Sequence, residues 1–523
     1  MTALAPMRRG LLTGLFTGLL AATAAAHAAG LPWTYAARDA DVDAAFARAR
    51  NEAKPVLLYW GAKWCPPCNQ LQATVFNRQD FIERARGVVP VYVDGDKPGA
   101  QKLGARFAVR GYPTLVLFDP QGRELTRLPG EVDAAQVGEL LTLGLSARRS
   151  ARELLALARA GDAGLTASDW RLLAFYSWDT DQQQLAGPAG PAALLRELAA
   201  ACPADQPELA MRLGLKALIE TDRKALPVPD APQRRGTLLA LLADPARVRL
   251  HTDLLAHRSA RLVRALSVAG APERATLVQA FDAALHRLQE DSSLSRADRV
   301  GALLGRVRLA GIDAPEGTTP TAPPALRDAL RAQSARFDRE ISDGYERQAV
   351  ITYSAYALEQ AGLMDDSDAL LKANLAKSHS AYYLMSDLAE NAKKRGDKAG
   401  AIDWSAKAFE ASVGPATRLQ WGGIYLDTLV ELVPQDAARI EALARRLIDE
   451  AAAQPDAFEG RSARSMQRVG ERLQAWSRAE RQAPVLRRLQ GRLDAVCAKL
   501  PAAGAPRAAC RAALRAPARP VSA

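Results

Sequence analysis

The apolar run Pro55-Val56-Leu57-Leu58-Tyr59-Trp60 leads almost directly into Trp64-Cys65-Pro66-Pro67-Cys68, and few folds accommodate that succession. The run reads as a buried strand, and the prolines suit a first helical turn, where a missing amide would be unbonded anyway. A strand that ends in Cys-x-x-Cys and then opens a helix sets the first sulfur over the helix N-terminus. Unpaired amides and the positive end of the dipole favour a thiolate there. The second sulfur lies one turn deeper, within reach of a disulfide, so the spacing implies thiol–disulfide exchange. Half a zinc site has the same spacing, but a closed site needs two further ligands. The histidines (His27, His251, His257, His286, His379) are too scattered to supply them, so no metal is expected and no cofactor beyond the cysteine pair. A structural disulfide is the other reading, but a three-residue step on a strand-to-helix turn suits a reactive pair better.

Around this motif, residues 31–147 alternate strand and helix. Residues 39–52 carry Val42, Ala45, Phe46 and Ala49 at helical spacing, and strands are expected over 55–61, 88–94, 114–118 and 123–128. A second helix is expected over 99–107. Asp119-Pro120-Gln121-Gly122 turns the chain between the last two strands, and Asp133 is placed to cap a final helix ending near Leu145.

This order, with Cys-x-x-Cys closing a central strand, resembles the α/β thioredoxin fold over about 31–146. Trp64-Cys65-Pro66-Pro67-Cys68 is similar to that family's W-C-x-x-C, Gly111-Tyr112-Pro113-Thr114 to its cis-proline loop, and Gly130 to the glycine before its last helix. Lys54-Pro55-Val56-Leu57-Leu58 and Phe118-Asp119-Pro120-Gln121-Gly122 most resemble the soluble C-terminal domain of the membrane disulfide reductase DsbD, and small periplasmic thioredoxin-like proteins. The resemblance implies that Cys65 is the exposed nucleophile and Cys68 the resolving thiol. It implies that Pro113 is cis and leaves the Tyr112 backbone free to pair with an extended substrate segment, with Trp64 and Trp60 forming the apolar rim. Lys63, Pro66 and Pro67 would modulate the thiolate, Lys63 by its charge and Pro67 by having no amide to donate. Protein thiols and disulfides would be the partners, with a membrane electron-transfer partner behind them. One position departs: Tyr59 stands where the family often has a buried carboxylate. Asp94 and Asp96 follow the next strand as candidates for its place.

Arg8 and Arg9, the apolar stretch 11–22 and Ala26-His27-Ala28 read as an export signal over 1–28, which points to a periplasmic protein without stable membrane insertion. The 523 residues carry a net charge of +11, but the basic excess is spread out and not interleaved with aromatics, so no nucleic-acid partner is expected. Five cysteines are few for an exported chain of this length. Cys497 and Cys510 bracket the turn 500–506 and are expected to staple it, while Cys202 is left over as a small apolar residue.

The expected divisions are the signal (1–28), a thioredoxin-like domain (29–148), a helical region (149–315), a Pro/Thr-rich linker with its connecting segment (316–338) and a second helical region (339–523). The helical parts read as an all-α, solenoid-like array. Gly362 and Gly396 lie 34 residues apart, and 396–402 resembles the turn and second helix of a tetratricopeptide repeat. The expected function is exported thiol–disulfide oxidoreductase, reductase favoured, with the helices docking partners. The alternative is a helical scaffold whose thioredoxin-like domain is a redox sensor or docking module.

Overall fold

Strand β2 (Val56–Gly61) is buried at every position and serves two cores at once. Val56, Leu58 and Trp60 face one side with Val89, Val91, Val93 and Val116, while Leu57 and Tyr59 face the other with Leu115 and Leu117. That division follows from the two-residue period of a strand, and it is why the run reads as continuously apolar. β2 lies at the centre of a five-stranded sheet of order β1-β3-β2-β4-β5, with β1 (Thr34–Ala36), β3 (Val89–Asp94), β4 (Thr114–Phe118) and β5 (Glu124–Leu128). β1, β3 and β2 are parallel; β4 runs antiparallel to β2, and β5 to β4. The computed structural model describes residues 31–515 except 131, 132, 183, 316, 317, 319 and 503. The expected export signal and part of the Pro/Thr-rich linker lie outside the described residues.

Helices α1 (Asp39–Glu52) and α4 (Ala100–Arg106) cover one face; α2 (Pro66–Leu71), α3 (Gln79–Ala85) and α5 (Ala134–Ser146) cover the other. α1 buries Val42, Ala45, Phe46 and Ala49, the stripe its sequence shows. α5 starts where Asp133 accepts from the Gln136 amide at 3.0 Å, a cap that satisfies one of the orphan donors of its first turn. The short β1 and the seven-residue α3 had no expectation attached to them, and a π-helical turn (Gln72–Phe76) continues α2.

Nineteen α-helices follow among the described residues, from Ala151–Ala160 to Ala505–Ala513. The core beneath the sheet runs past residue 148 into them: Leu154, Leu173, Leu195 and Leu213 belong to the same cluster as Leu57 and Leu115. Packing therefore shows no break at the expected 148/149 boundary. Later cores succeed one another along the chain, as in an array whose units bury their faces against neighbours. The turn expected at Gly396 forms, with Gly396 at φ 78° and Asp397 accepting from Gly400 N at 2.8 Å. The expected connecting segment over 316–338 is largely helical instead, because Pro324 opens a helix that runs to Glu340. A proline at the first helical position starts a helix as readily as it breaks one.

Cys497 and Cys510 are joined by a disulfide with Cα atoms 5.7 Å apart, closing the last two helices into a hairpin. Cys202 is the one free cysteine, its thiol pushed up to about 11 by burial. Closing a loop of this length is worth about 3 kcal/mol by denatured-chain entropy. A Cys497→Ser, Cys510→Ser protein is accordingly expected to lose protection of the 483–515 hairpin in hydrogen exchange, with the sheet's protection unchanged.

Candidate active site

β2 ends at Gly61, paired with Asp94 of β3, and the chain turns through Ala62 and Lys63 into α2. Cys65 is the N-cap of that helix, and its Sγ accepts from the Cys68 amide at 3.2 Å. Pro66 and Pro67 contribute no donors, so Cys68 N is the first amide the sulfur can use. The two cysteines form a disulfide with Cα atoms 5.2 Å apart. Asn69 braces the turn, its side-chain amide donating to the carbonyls of Lys63 and Cys65, each at 2.8 Å.

The Tyr112–Pro113 peptide is cis. A Cβ at Gly130 would lie 2.9 Å from Pro113 Cγ, so a glycine is required for that loop to sit against the end of β5. The Tyr112 ring stacks on Trp60 with centroids 6.1 Å apart and meets Trp64 edge-on at 5.9 Å. Its hydroxyl accepts from Gln101 Nε2 at 3.1 Å, and burial raises its pKa. Cys65, Cys68, Trp64, Tyr112 and Pro113 thus meet at one end of the sheet, where the sequence placed them.

Exposure is where the structure departs from expectation. Cys65 is only 3% exposed, as is Cys68, because helical residues far along the chain cover the motif. Trp64 stacks on Tyr383 and meets Trp421 edge-on, with centroids 6.0 and 5.1 Å apart. Trp64 Nε1 donates to Asp96 at 2.8 Å. Asp96 also accepts from Thr417 Oγ1 at 2.6 Å and from Arg461 Nη2 at 2.7 Å. Arg461 lies 5.1 Å from the centroids of both the Trp64 and Tyr112 rings. Gln101 adds a second tie, its amide donating to Asp456 at 2.8 Å and its side-chain oxygen accepting from Arg461 N at 2.6 Å. The Lys63 carbonyl accepts from His379 Nε2 at 3.0 Å, and burial keeps that imidazole below its ordinary pKa, hence neutral. The Lys63 side chain itself is exposed.

The position of the family's buried carboxylate is filled by an aromatic cluster. Tyr59 stacks on Tyr92 at 4.9 Å and meets Phe76 edge-on at 4.9 Å, and burial raises its pKa far above the usual phenol range. Asp96, one candidate replacement, is committed to Trp64, Thr417 and Arg461. Asp94 stands at the end of β3 beside Gly61; it accepts from Asp96 N at 3.0 Å, and burial raises its pKa. The described residues contain no group of three or more His, Cys, Asp or Glu placed to hold a metal ion. None of their helices is long and apolar enough to cross a membrane.

Residues 42–144 match the thioredoxin-like domain family. Thiol:disulfide interchange protein DsbD 1 of Pseudomonas aeruginosa is 35% identical over 117 residues, which is 21% of this chain and 19% of that protein. The DsbD protein of Klebsiella pneumoniae is 31% identical over 109 residues, 20% of this chain and 18% of its own. A solved structure titled DsbH Oxidoreductase is 26% identical and covers 26% of this chain and 96% of its own, with a TM-score of 0.21. The chain therefore spans under a fifth of the length of these curated relatives. With the sheet order, the cysteine pair at the start of α2 and the cis-proline loop beside it, the family match and the two DsbD relatives make residues 42–144 a thioredoxin-like domain homologous to part of the DsbD proteins, joined here to a long helical region.

Proposed function

We propose that the protein is an exported, periplasmic thiol–disulfide oxidoreductase that exchanges disulfides with protein clients through Cys65 and Cys68, with reduction slightly favoured as its direction. The observation that carries this reading is the sulfur of Cys65 capping α2, hydrogen-bonded by the Cys68 amide and beside the cis-Pro113 loop. In the reduced protein the Cys65 thiolate attacks a client disulfide; one client sulfur leaves and takes up a proton, and a mixed disulfide forms. The Cys68 thiolate then attacks Cys65 Sγ, releasing the second client thiol and regenerating the Cys65–Cys68 disulfide. Two electrons pass to the client, and a dithiol partner at the membrane returns them. The helical region docks the client and opens to admit it.

Reduction of insulin disulfides in the presence of dithiothreitol tests the reading. Cys65→Ser is expected to lower the rate to that of dithiothreitol alone, and Cys68→Ser to accumulate the mixed disulfide. The midpoint potential of the pair against glutathione gives direction: a strongly negative value fits a reductase, and one near that of strong oxidants overturns the preference. The burial of Cys65 favours a second reading, a helical adaptor whose thioredoxin-like domain is a docking module. On that reading Cys65→Ser leaves the biological activity intact.

A further inference from the structure

Beside the cysteine pair, the Pro66–Pro67 turn and the helical region enclose a cavity of about 300 Å³. Pro67 and Tyr356 are exposed, so the space opens to solvent. Its far wall belongs to the helical region and carries Asp298, Asp387, Tyr353, Tyr356 and Tyr383. Tyr383 is also the ring stacked on Trp64, so this wall and the rim of the redox pair share a side chain.

Asp298 is held in place, accepting from Gln70 Nε2 of α2 at 3.2 Å and from Ser295 Oγ at 2.7 Å. Asp387 is different. No group among the described residues donates a hydrogen bond to it or pairs with it, although its surroundings are largely protein. Burial pushes its carboxyl up to about 8; Glu359 and Glu390 push the same way, and Lys394 opposes them. Lys394 is itself paired with Glu359 at 3.0 Å. His257 is the one basic residue of the lining, its Nδ1 3.0 Å from the Tyr353 hydroxyl. Arg308 Nη2 donates to the Tyr356 hydroxyl at 3.2 Å at the exposed end.

Asp387 faces this cavity without the cationic partner that would hold its carboxyl ionised, and a bound cation would supply that partner and draw off its proton; one face of each neighbouring phenol ring is already taken, by Trp64 at Tyr383, His257 at Tyr353 and Arg308 at Tyr356. We propose that the cavity seats an ammonium or guanidinium group carried by the disulfide substrate, making this a subsite for cationic disulfides. The group comes either from a small amine disulfide or from a lysine or arginine flanking a client cysteine. The proposal rests on thiol–disulfide exchange at Cys65 and names the substrate class of that site. It also runs against the chain's overall charge of +11, which by itself favours anionic substrates.

The test follows oxidation of the reduced, full-length protein by cystamine, bis(2-hydroxyethyl) disulfide and dithiodipropionate. Each oxidation forms the Cys65–Cys68 bond and releases two small thiols, and each rate is divided by that of free dithiothreitol with the same disulfide. The normalised rate is expected to be about tenfold higher for cystamine than for the neutral disulfide, with the dicarboxylate slowest. Asp387→Asn should bring the cystamine-to-neutral ratio towards 1, with the circular dichroism of the wild type. Equal normalised rates in the wild type would overturn the proposal, and so would a cystamine preference that survives Asp387→Asn. No oxidation by any of the three disulfides would instead overturn the exchange reading beneath it. Cysteine peptides flanked by lysine or by glutamine, offered as disulfides, distinguish the sources: a lysine preference identifies a client side chain, and its absence beside a cystamine preference identifies a small amine.

Discussion

Replacing Arg461 by alanine is expected to raise the alkylation rate of Cys65 in the reduced protein at least about a hundredfold. In the closed arrangement Asp96 and Arg461 are 11% and 8% exposed and 2.7 Å apart. Removing one partner of a buried pair typically costs about 3–5 kcal/mol, because the other charge stays desolvated. That penalty falls on the closed state alone. Once the helical region lifts away, Asp96 is hydrated with or without Arg461. A loss of about 3 kcal/mol from closure multiplies the open population by roughly a hundred, at 1.4 kcal/mol per factor of ten. Arg461 also spans two aromatic rings, and its Nε and Nη1 find no hydrogen-bond acceptor among the described residues, so part of its hold is guanidinium stacking. Arg461→Lys keeps the charge and loses the planar group, and its rate should fall between wild type and Arg461→Ala. Unchanged alkylation in a folded Arg461→Ala protein would mean that Cys65 is reached by another route.

The sheet and the motif were legible because their signals are local. The run at 55–60 is apolar on both faces, Asp133 sits one residue before an apolar helix, and Pro66-Pro67 can only open a turn. β1 escaped because three residues at a sheet edge give no alternation to read, and α3 because seven residues make barely two turns of period. The burial of Cys65 could not be read locally at all. Its cover comes from His379, Tyr383, Thr417, Trp421 and Arg461, more than 300 residues beyond the motif, and each is unremarkable in its own helix. Tyr382-Tyr383 and Trp421 were the available hint, being large aromatics in a chain with only 6% of them. The Pro/Thr-rich segment misled for a related reason: Pro323-Pro324 looks like a break, yet Pro324 is where the next helix begins.

Arg212→Met is expected to destabilise the protein by about 3–5 kcal/mol at pH 7, and by much less at pH 4. Arg212 and Asp253 join helices Pro207–Glu220 and Thr252–Leu266 through bonds of 3.0 and 2.6 Å, with side chains 1% and 7% exposed. The Arg212 guanidinium lies 3.8 Å from the Phe175 ring centroid, and its charge helps hold the Asp253 carboxyl below its ordinary value despite burial. A carboxylate with a depressed pKa stabilises the fold above its unfolded pKa, and that contribution is lost as pH falls through the folded value. In Arg212→Met, burial has no counterweight from Arg212 and Asp253 protonates more readily, so acid relieves the variant while it weakens the wild type. The gap between them therefore narrows from pH 7 to pH 4, a change that denaturant unfolding followed by tryptophan fluorescence can measure. Lys216 sets the lower end of the range. Burial and the neighbouring Arg212 hold its amine down to about 8, and with Arg212 gone it can stay charged and offset part of the loss. Lys216 also donates to the Tyr176 carbonyl at 3.0 Å, and the next residue, Ser177, donates its amide to Arg127 of β5 at 3.1 Å. Arg127 in turn donates to the Thr180 carbonyl at 2.9 Å. Lys216 thus ties the helix that carries Arg212 to the joint between the sheet and the first helices, and Arg212→Met should loosen that joint before it exposes Cys65. A gap that stays the same at both pH values would show that Asp253 does not carry the charge assigned to it.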